Sequence, residues 1–210
     1  MILATLCYVK RDGHTLMVYR NKKPNDIHEG KWNGLGGKFE AGETPEECVI
    51  REIYEESGLS IRNPKLCGLL MFPKFKDNDW YVFVFTAIEF SGEMIDSPEG
   101  KLEWIPDEKI LDLKLWESDH IFMPWIQEAK FFSAKFDYEG DEMRGYNVVF
   151  HQTFYCRVWG RTGGGQWGSE GVPNKSIQPP MTGRLFIENV PKVVTCKNIF
   201  ELFRTLRDVS

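Results

Sequence analysis

Short apolar runs separated by polar turns open the chain. Residues 3–9, from Leu3 to Val9, are apolar and β-prone, Arg11-Asp12-Gly13-His14 is turn-forming, and residues 15–20 resume with Leu16, Met17, Val18 and Tyr19. This pattern predicts a β-hairpin. Residues 21–31 are polar and contain Pro24, Asn25 and Gly30, so they form a loop, and residues 32–39 (Trp-Asn-Gly-Leu-Gly-Gly-Lys-Phe) form a glycine-rich strand or turn. The pattern then changes to a helix with a well-marked start. Thr44 is placed to cap its N-terminus, Pro45 sits at the first helical position where a missing N–H does no harm, and Glu47 completes a capping box. The helix runs to about Ser57 and stops at Gly58.

Residues 65–72 and 80–89 are strand-like and joined by the polar Lys76-Asp77-Asn78-Asp79 turn, and residues 102–105 form a short strand before a brief helical piece over 106–113. Residues 116–128 read as a helix, and residues 131–138 and 146–155 as a second hairpin around Glu139-Gly140-Asp141. Strands on both sides of two helices make an α/β layered domain, with no internal repeat before residue 158. With 210 residues and 42% hydrophobic content there is enough chain for one substantial core and an appendage.

No apolar run approaches the ~18 residues that span a bilayer, and the N-terminus leads into a polar turn instead of a cleavage site, so a soluble, cytoplasmic protein without membrane contact is expected. The five cysteines (Cys7, Cys48, Cys67, Cys156 and Cys196) are scattered without a C-x-x-C pair and read as buried reduced thiols. Net charge is −5, unevenly spread: residues 151–210 hold eight Lys and Arg against four Asp and Glu, which leaves residues 1–150 at −9. An acidic body excludes polymeric nucleic acid as the expected partner, since duplex binding needs a basic surface. It suits a protein that holds a polyanion through a divalent metal.

The helix over 44–58 carries the chemistry. At about 100° per residue, Glu52, Glu55 and Glu56 fall within an arc of about 100°, while Val49, Ile50 and Ile53 take the adjoining, core-facing side. Like charges at i, i+3 and i+4 destabilise an isolated helix by some tenths of a kcal/mol per pair, so the triplet breaks a local rule. Solvated glutamates are the commoner outcome for such a helix. A hard divalent cation such as magnesium would relieve the repulsion through carboxylate and carbonyl oxygens. Gly36 and Gly37, which allow close backbone approach to a metal or phosphate, favour that second reading.

The spacing Gly37-x5-Glu43-x7-Arg51-Glu52-Ile53-x-Glu55-Glu56-x-Gly58-Leu59 agrees at every defined position with the Nudix box, and the chain resembles the Nudix hydrolase superfamily. The resemblance implies the Nudix fold, a mixed β-sheet sandwiched between helices. It implies magnesium, with manganese as a substitute, held by Glu52, Glu55, Glu56 and the Gly36 carbonyl, with Arg51 orienting a glutamate. Glu43 is expected to stabilise the loop or helix start. Either Glu52 or Glu56, or a loop acid, would take the proton of the attacking water.

Around the box, residues 31–44 are similar to MutT-type enzymes, notably the MutX-like and mammalian 8-oxo-dGTP diphosphatase branch, and the similarity extends to about residue 155. That branch implies Glu99 as a further metal ligand, and Asn33, Trp116 and Asp119 as residues that bind and stack on a purine. Lys23 and Lys38, with Gly37, would contact phosphate. Taken singly, Trp116 and Trp32 read as core aromatics, Asp119 as a helix-start acid and Asn33 as a turn residue; their joint presence beside an intact box favours the pocket. The chain departs from the mammalian pattern of adjacent aspartates, having Ser118-Asp119. The expected activity is cleavage of oxidised purine nucleoside triphosphates to the monophosphate and pyrophosphate. ADP-ribose, dinucleoside polyphosphates and NADH are competing substrates, and a non-catalytic nucleotide-binding module is the rival class.

The hydrolase domain is expected over residues 1–157, with a C-terminal extension over 158–210. The extension begins with a glycine-rich, mildly basic stretch and contains an apolar helical face at Ile199, Leu202, Phe203 and Leu206. That face is too small to be stable alone and is expected to pack on the core or to make a homodimer.

Overall fold

Ile2–Arg11 (β1) carries apolar side chains on both faces, and such a strand belongs inside a covered sheet. The computed structural model, which describes residues 1–22 and 26–151, places it there. Asn78–Ala87 (β6) runs parallel to β1, from Ile2 opposite Trp80 to Val9 opposite Ala87. The expected hairpin partner, His14–Arg20 (β2), meets β1 only at the tip, where Lys10 faces Thr15 and Arg11 faces His14. The two-residue turn fits, since Asp12 and Gly13 both have left-handed φ angles of 49° and 72°. Beyond it the strands part. One edge of β1 belongs to β6, and the other is bridged by the glycine-rich segment at Ala4–Lys38 and Cys7–Leu35.

β2 instead pairs along its whole length with Gly100–Pro106 (β8) and briefly with Trp32–Asn33 (β3). Lys65–Phe75 (β5) lies antiparallel to β6 and parallel to Phe131–Glu139 (β9), which forms the expected second hairpin with Glu142–His151 (β10). The order is β10-β9-β5-β6-β1-β2-β3, with β8 beside β2. Ser60–Arg62 (β4) and Glu89–Ser91 (β7) make a small second sheet that the sequence pattern did not announce.

Alternation along the strands divides the core into two layers. Cys7, Val9 and Leu16 pack with Val49 and Ile53 of Pro45–Ser57 (α1), while Tyr8 and Met17 pack with Phe122 and Met123 of Glu117–Gln127 (α2). The mixed sheet is therefore sandwiched between helices, as expected. Each large side chain fully buried in these layers contributes roughly 1.5–3 kcal/mol. The caps of α1 form as the sequence requires: Thr44 Oγ1 accepts from Glu47 N–H at 3.2 Å, Glu47 Oε2 accepts from Thr44 N–H at 2.8 Å, and Gly58 ends the helix with φ 75°. Ile50 corrects the sequence reading of this helix. It is 39% exposed, because the buried arc is centred near Val49 and Ile50 lies about 100° round from it.

Cys7, Cys48 and Cys67 are buried free thiols. No helix among the described residues is long and apolar enough to cross a membrane. Lys23, the expected strand end over 152–155 and the whole of 158–210 lie outside the described residues.

Candidate active site

The gap where β1 and β2 part is crossed by the glycine-rich segment. Thr5 N–H donates to the Gly37 carbonyl at 2.8 Å, Cys7 N–H to the Leu35 carbonyl at 2.6 Å, and Phe39 N–H to the Leu3 carbonyl at 3.1 Å, so the segment is strapped to β1. A Cβ on Gly36, whose φ is 142°, would sit 2.3 Å from the Thr5 carbonyl oxygen, and one on Gly37 would sit 2.4 Å from a Glu52 carboxylate oxygen. Only glycine fits at Gly36, where the clash is with backbone, whereas at Gly37 a side chain would have to push the Glu52 carboxylate aside. Gly36 N–H points the other way and donates to Glu56 Oε2 at 2.9 Å.

Glu56 is 5% exposed. Burial, with Glu99 adding repulsion, pushes its carboxyl up to about 8 against the opposing Gly36 hydrogen bond and Arg20 charge. Glu52 is likewise raised by burial. Arg51 organises the outer side of α1: it reaches Glu43 through Nε at 2.7 Å and Nη2 at 2.9 Å, Glu52 at 2.8 Å, Glu55 at 3.2 Å and the Lys38 carbonyl at 3.0 Å. The fork-shaped pairing holds Glu43 down at about 2. Arg51 thus joins Glu43 to Glu52, and Glu43 acts as its clamp while also accepting from Glu40 N–H.

Glu99 arrives from the far side of the gap. Gly100 faces Arg20 across the β2–β8 pairing, and a Cβ there would collide with the Tyr19 carbonyl, so β8 closes tightly on β2 and brings Glu99 beside Arg20. Arg20 Nη2 lies 2.6 Å from Glu99 Oε2, Nη1 lies 3.8 Å from Glu56 Oε1, and Nε donates to Asp26 Oδ2 at 2.6 Å.

Glu52, Glu56, Glu99 and the strapped Gly36 line one cavity of about 590 Å³. Glu55 does not line it, and its side chain is 55% exposed. The donors are hard oxygens, and Glu56 is a carboxylate whose burial opposes its charge, so the set fits a magnesium-like cation. Among the described residues no three such side chains converge as a ready cage. The compensating positive charge comes from Arg20 and Arg51.

The same cavity extends to Asn33, Lys38, Trp116 and Asp119. Asp119 is buried at the start of α2, where Oδ2 accepts from Trp116 N–H at 3.4 Å. Burial pushes its carboxyl up to about 7, against that hydrogen bond and the charge of Lys31. Helix-start acid and cavity wall are thus one residue. Trp116, 6% exposed, meets Phe75 and Tyr138 edge-to-face at 5.3 and 5.8 Å, and Lys31 Nζ lies 4.5 Å from its ring centroid. Ser118, where the sequence departs from paired aspartates, donates its N–H to the Tyr138 hydroxyl and accepts from that hydroxyl through Oγ, both at 3.1 Å. Lys38 is exposed, with Nζ 5.4 Å from the Trp80 ring centroid. Trp32 packs on Tyr19 and the core, which is the bland role considered for it.

Sequence reasoning missed Arg20, Asp26, His28 and Tyr138, all cavity-lining. A charged residue closing the apolar Leu16–Tyr19 run was the only signal for Arg20. Trp116 Nε1 donates to His28 Nδ1 at 2.9 Å, and an indole can only donate, so the imidazole proton is on Nε2. Burial lowers His28 to about 4, with Asp26 opposing, and the ring is neutral near pH 7.

Residues 2–126 match the NUDIX domain family. The chain is 32% identical over 142 residues to the oxidized purine nucleoside triphosphate hydrolase of Danio rerio, covering 67% of this chain and 89% of that one. It is 32% identical over 125 residues to the protein of the same name from Mus musculus, covering 57% and 78%. The crystal structure of the mutator MutT protein from Bacillus halodurans matches with a TM-score of 0.63 at 34% identity, over 70% of this chain and 97% of that one. Since the family match spans more than half of the chain and contains both the arginine-clamped helix and the glycine strap, the chain belongs to the NUDIX domain family and is a Nudix hydrolase.

Proposed function

We propose that this hydrolase cleaves oxidised purine nucleoside triphosphates, such as 8-oxo-dGTP, to the monophosphate and pyrophosphate with magnesium. The observation that carries the reading is the continuity of one cavity: carboxylates and a glycine strap at one end, an aromatic wall with Asn33 and Asp119 at the other. A triphosphate with a flat, hydrogen-bonding base has the matching polarity. Two relatives whose names specify oxidized purine nucleoside triphosphates support the same substrate class.

A bound magnesium ion supplies Lewis acidity at the phosphoryl oxygens and lowers the pKa of water. Glu52, Glu56, Glu99 and the Gly36 carbonyl would hold it. Glu52 and Glu56, which line the cavity, are the proposed acceptors of the proton from the attacking water. Arg51 fixes Glu52 through its Nη1 contact while Glu43 fixes Arg51, so the carboxylate is oriented before substrate arrives. At the base end, Asn33 offers a donor and an acceptor, and Asp119 accepts from a purine edge when ionised or donates when protonated. Trp116 and Tyr138 supply an aromatic enclosure that excludes water. Glu55 stays a candidate metal ligand only through the box resemblance, and Lys23 and Lys38 are proposed phosphate contacts.

The test is a panel of 8-oxo-dGTP, dGTP, ADP-ribose, a dinucleoside polyphosphate and NADH with magnesium, its products separated by chromatography. Monophosphate and pyrophosphate, formed fastest from the oxidised purine, are expected. Orthophosphate as the first product, or a preference for ADP-ribose, overturns the assignment.

A further inference from the structure

Arg20 ends β2 with a side chain only 12% exposed, and its guanidinium is shared among carboxylates from three separate parts of the chain. Nε holds Asp26 at 2.6 Å, and Asp26 is itself fixed by the His28 N–H at 3.1 Å. The two Nη atoms turn toward Glu99 at 2.6 Å and Glu56 at 3.8 Å. Those last two are residues assigned above to the metal, and the guanidinium offers them only donors.

Two cations compete at these oxygens. A magnesium-like ion binds carboxylate oxygen at about 2.1 Å, so on the Glu99 oxygen that Nη2 contacts it would lie against the guanidinium as a like charge with no room for intervening water. The Asp26 contact is made by a different atom, Nε, which adjoins Cδ and moves least when the two Nη atoms swing, so the side chain can give up the Nη contacts and keep its tether. We infer that Arg20 is a built-in cation that occupies the carboxyl oxygens of Glu99 and Glu56 in the metal-free protein and is displaced from them, pivoting on Asp26, when a divalent metal binds. Arg20 is thereby a residue that sets metal affinity without being a ligand. The inference rests on the metal assignment proposed above.

The experiment uses the full chain, Mn²⁺ as probe, calorimetry or electron paramagnetic resonance for affinity, and thermal unfolding with EDTA or Mn²⁺. Arg20→Gln removes the competing charge. It should lower the melting temperature in EDTA, bind Mn²⁺ about tenfold more tightly than wild type, the ordinary size of a site-to-site coupling, and gain more from Mn²⁺ in melting temperature than wild type does. Should Arg20→Gln fail to fold, Arg20→Lys keeps the charge but not the fork, and is expected to bind Mn²⁺ more tightly than wild type by about threefold. If wild type binds Mn²⁺ but neither variant binds it more tightly, or the loss of melting temperature is equal with and without Mn²⁺, Arg20 is a structural ion-pair residue and the inference fails alone. If wild type binds no Mn²⁺, the metal assignment fails and takes the inference with it.

Discussion

Replacing Asp119 by Asn should change how stability depends on pH in a way that its surroundings fix in sign. The carboxyl is buried at the first turn of α2 and pushed from the usual 3.8 up to about 7, so the folded state holds its proton more tightly than the unfolded chain does. Stability therefore falls as pH rises from about 4 to about 7 and is flat above, the reverse of an aspartate held down by a salt bridge. At 1.36 kcal/mol per pH unit, the ionisation penalty grows by roughly 2–3 kcal/mol between pH 5 and pH 8. Asn cannot ionise, and its side-chain oxygen can still accept from Trp116 N–H, so the variant lacks the penalty. Urea unfolding of metal-free protein at several pH values measures both chains, and their difference cancels other titrating groups such as Glu56. The constant part of the difference reflects packing and carries no information. Its slope does: the variant should gain on wild type by roughly 2–3 kcal/mol from pH 5 to pH 8. A pH-independent difference would refute the claim that burial governs this carboxyl, and would leave Asp119 as an ordinary solvated helix-start acid.

Glu56→Gln should lower kcat by roughly 10³-fold or more while far-ultraviolet circular dichroism stays native, since a buried carboxylate proposed to hold the metal is lost but the Gly36 N–H keeps an acceptor; a near-normal rate would show Glu56 to be structural. Gly36→Ala should cost about 3 kcal/mol or more, through both a left-handed φ and a Cβ driven into the Thr5 carbonyl. Gly42→Ala, at φ 90° with nothing within 4 Å, isolates the backbone part and should cost distinctly less; equal losses in thermal melts would mean that the strap gives way freely.

The parts of this fold that were legible in the sequence are those decided locally. Thr44, Pro45, Glu47 and Gly58 mark the ends of α1 because capping groups act within one turn. The polar stretch over 76–79 becomes a tight turn with left-handed φ at Lys76 and Asp77, as hairpin twist demands. The pairing of β1 with β2 is shorter than the local pattern predicts. The turn residues specify a hairpin tip, but nothing in them says that β6 and the glycine strap will take the two edges of β1 further on. The active site owes its position to that divergence, since the strap fills the opening between strands and aims Gly36 N–H at Glu56.

The two arginines of the site show where such legibility ends. Arg51 meets Glu43 eight residues back, Glu52 next to it and Glu55 one turn on, so its partners recur at fixed spacings and form part of a readable motif. Arg20 meets Asp26 in a loop, Glu56 at the end of α1 and Glu99 just before β8, and no spacing along the chain predicts that set. It depends on the β2–β8 register that puts Arg20 opposite Gly100, and on the missing side chain at Gly100 that lets the strands close. A shift of that register by one residue would turn Arg20 to the other face, away from Glu56 and Glu99. The motif thus supplies carboxylates already held by their own arginine, whereas the second arginine reaches Glu99 and Glu56 only because tertiary structure closes β8 on β2.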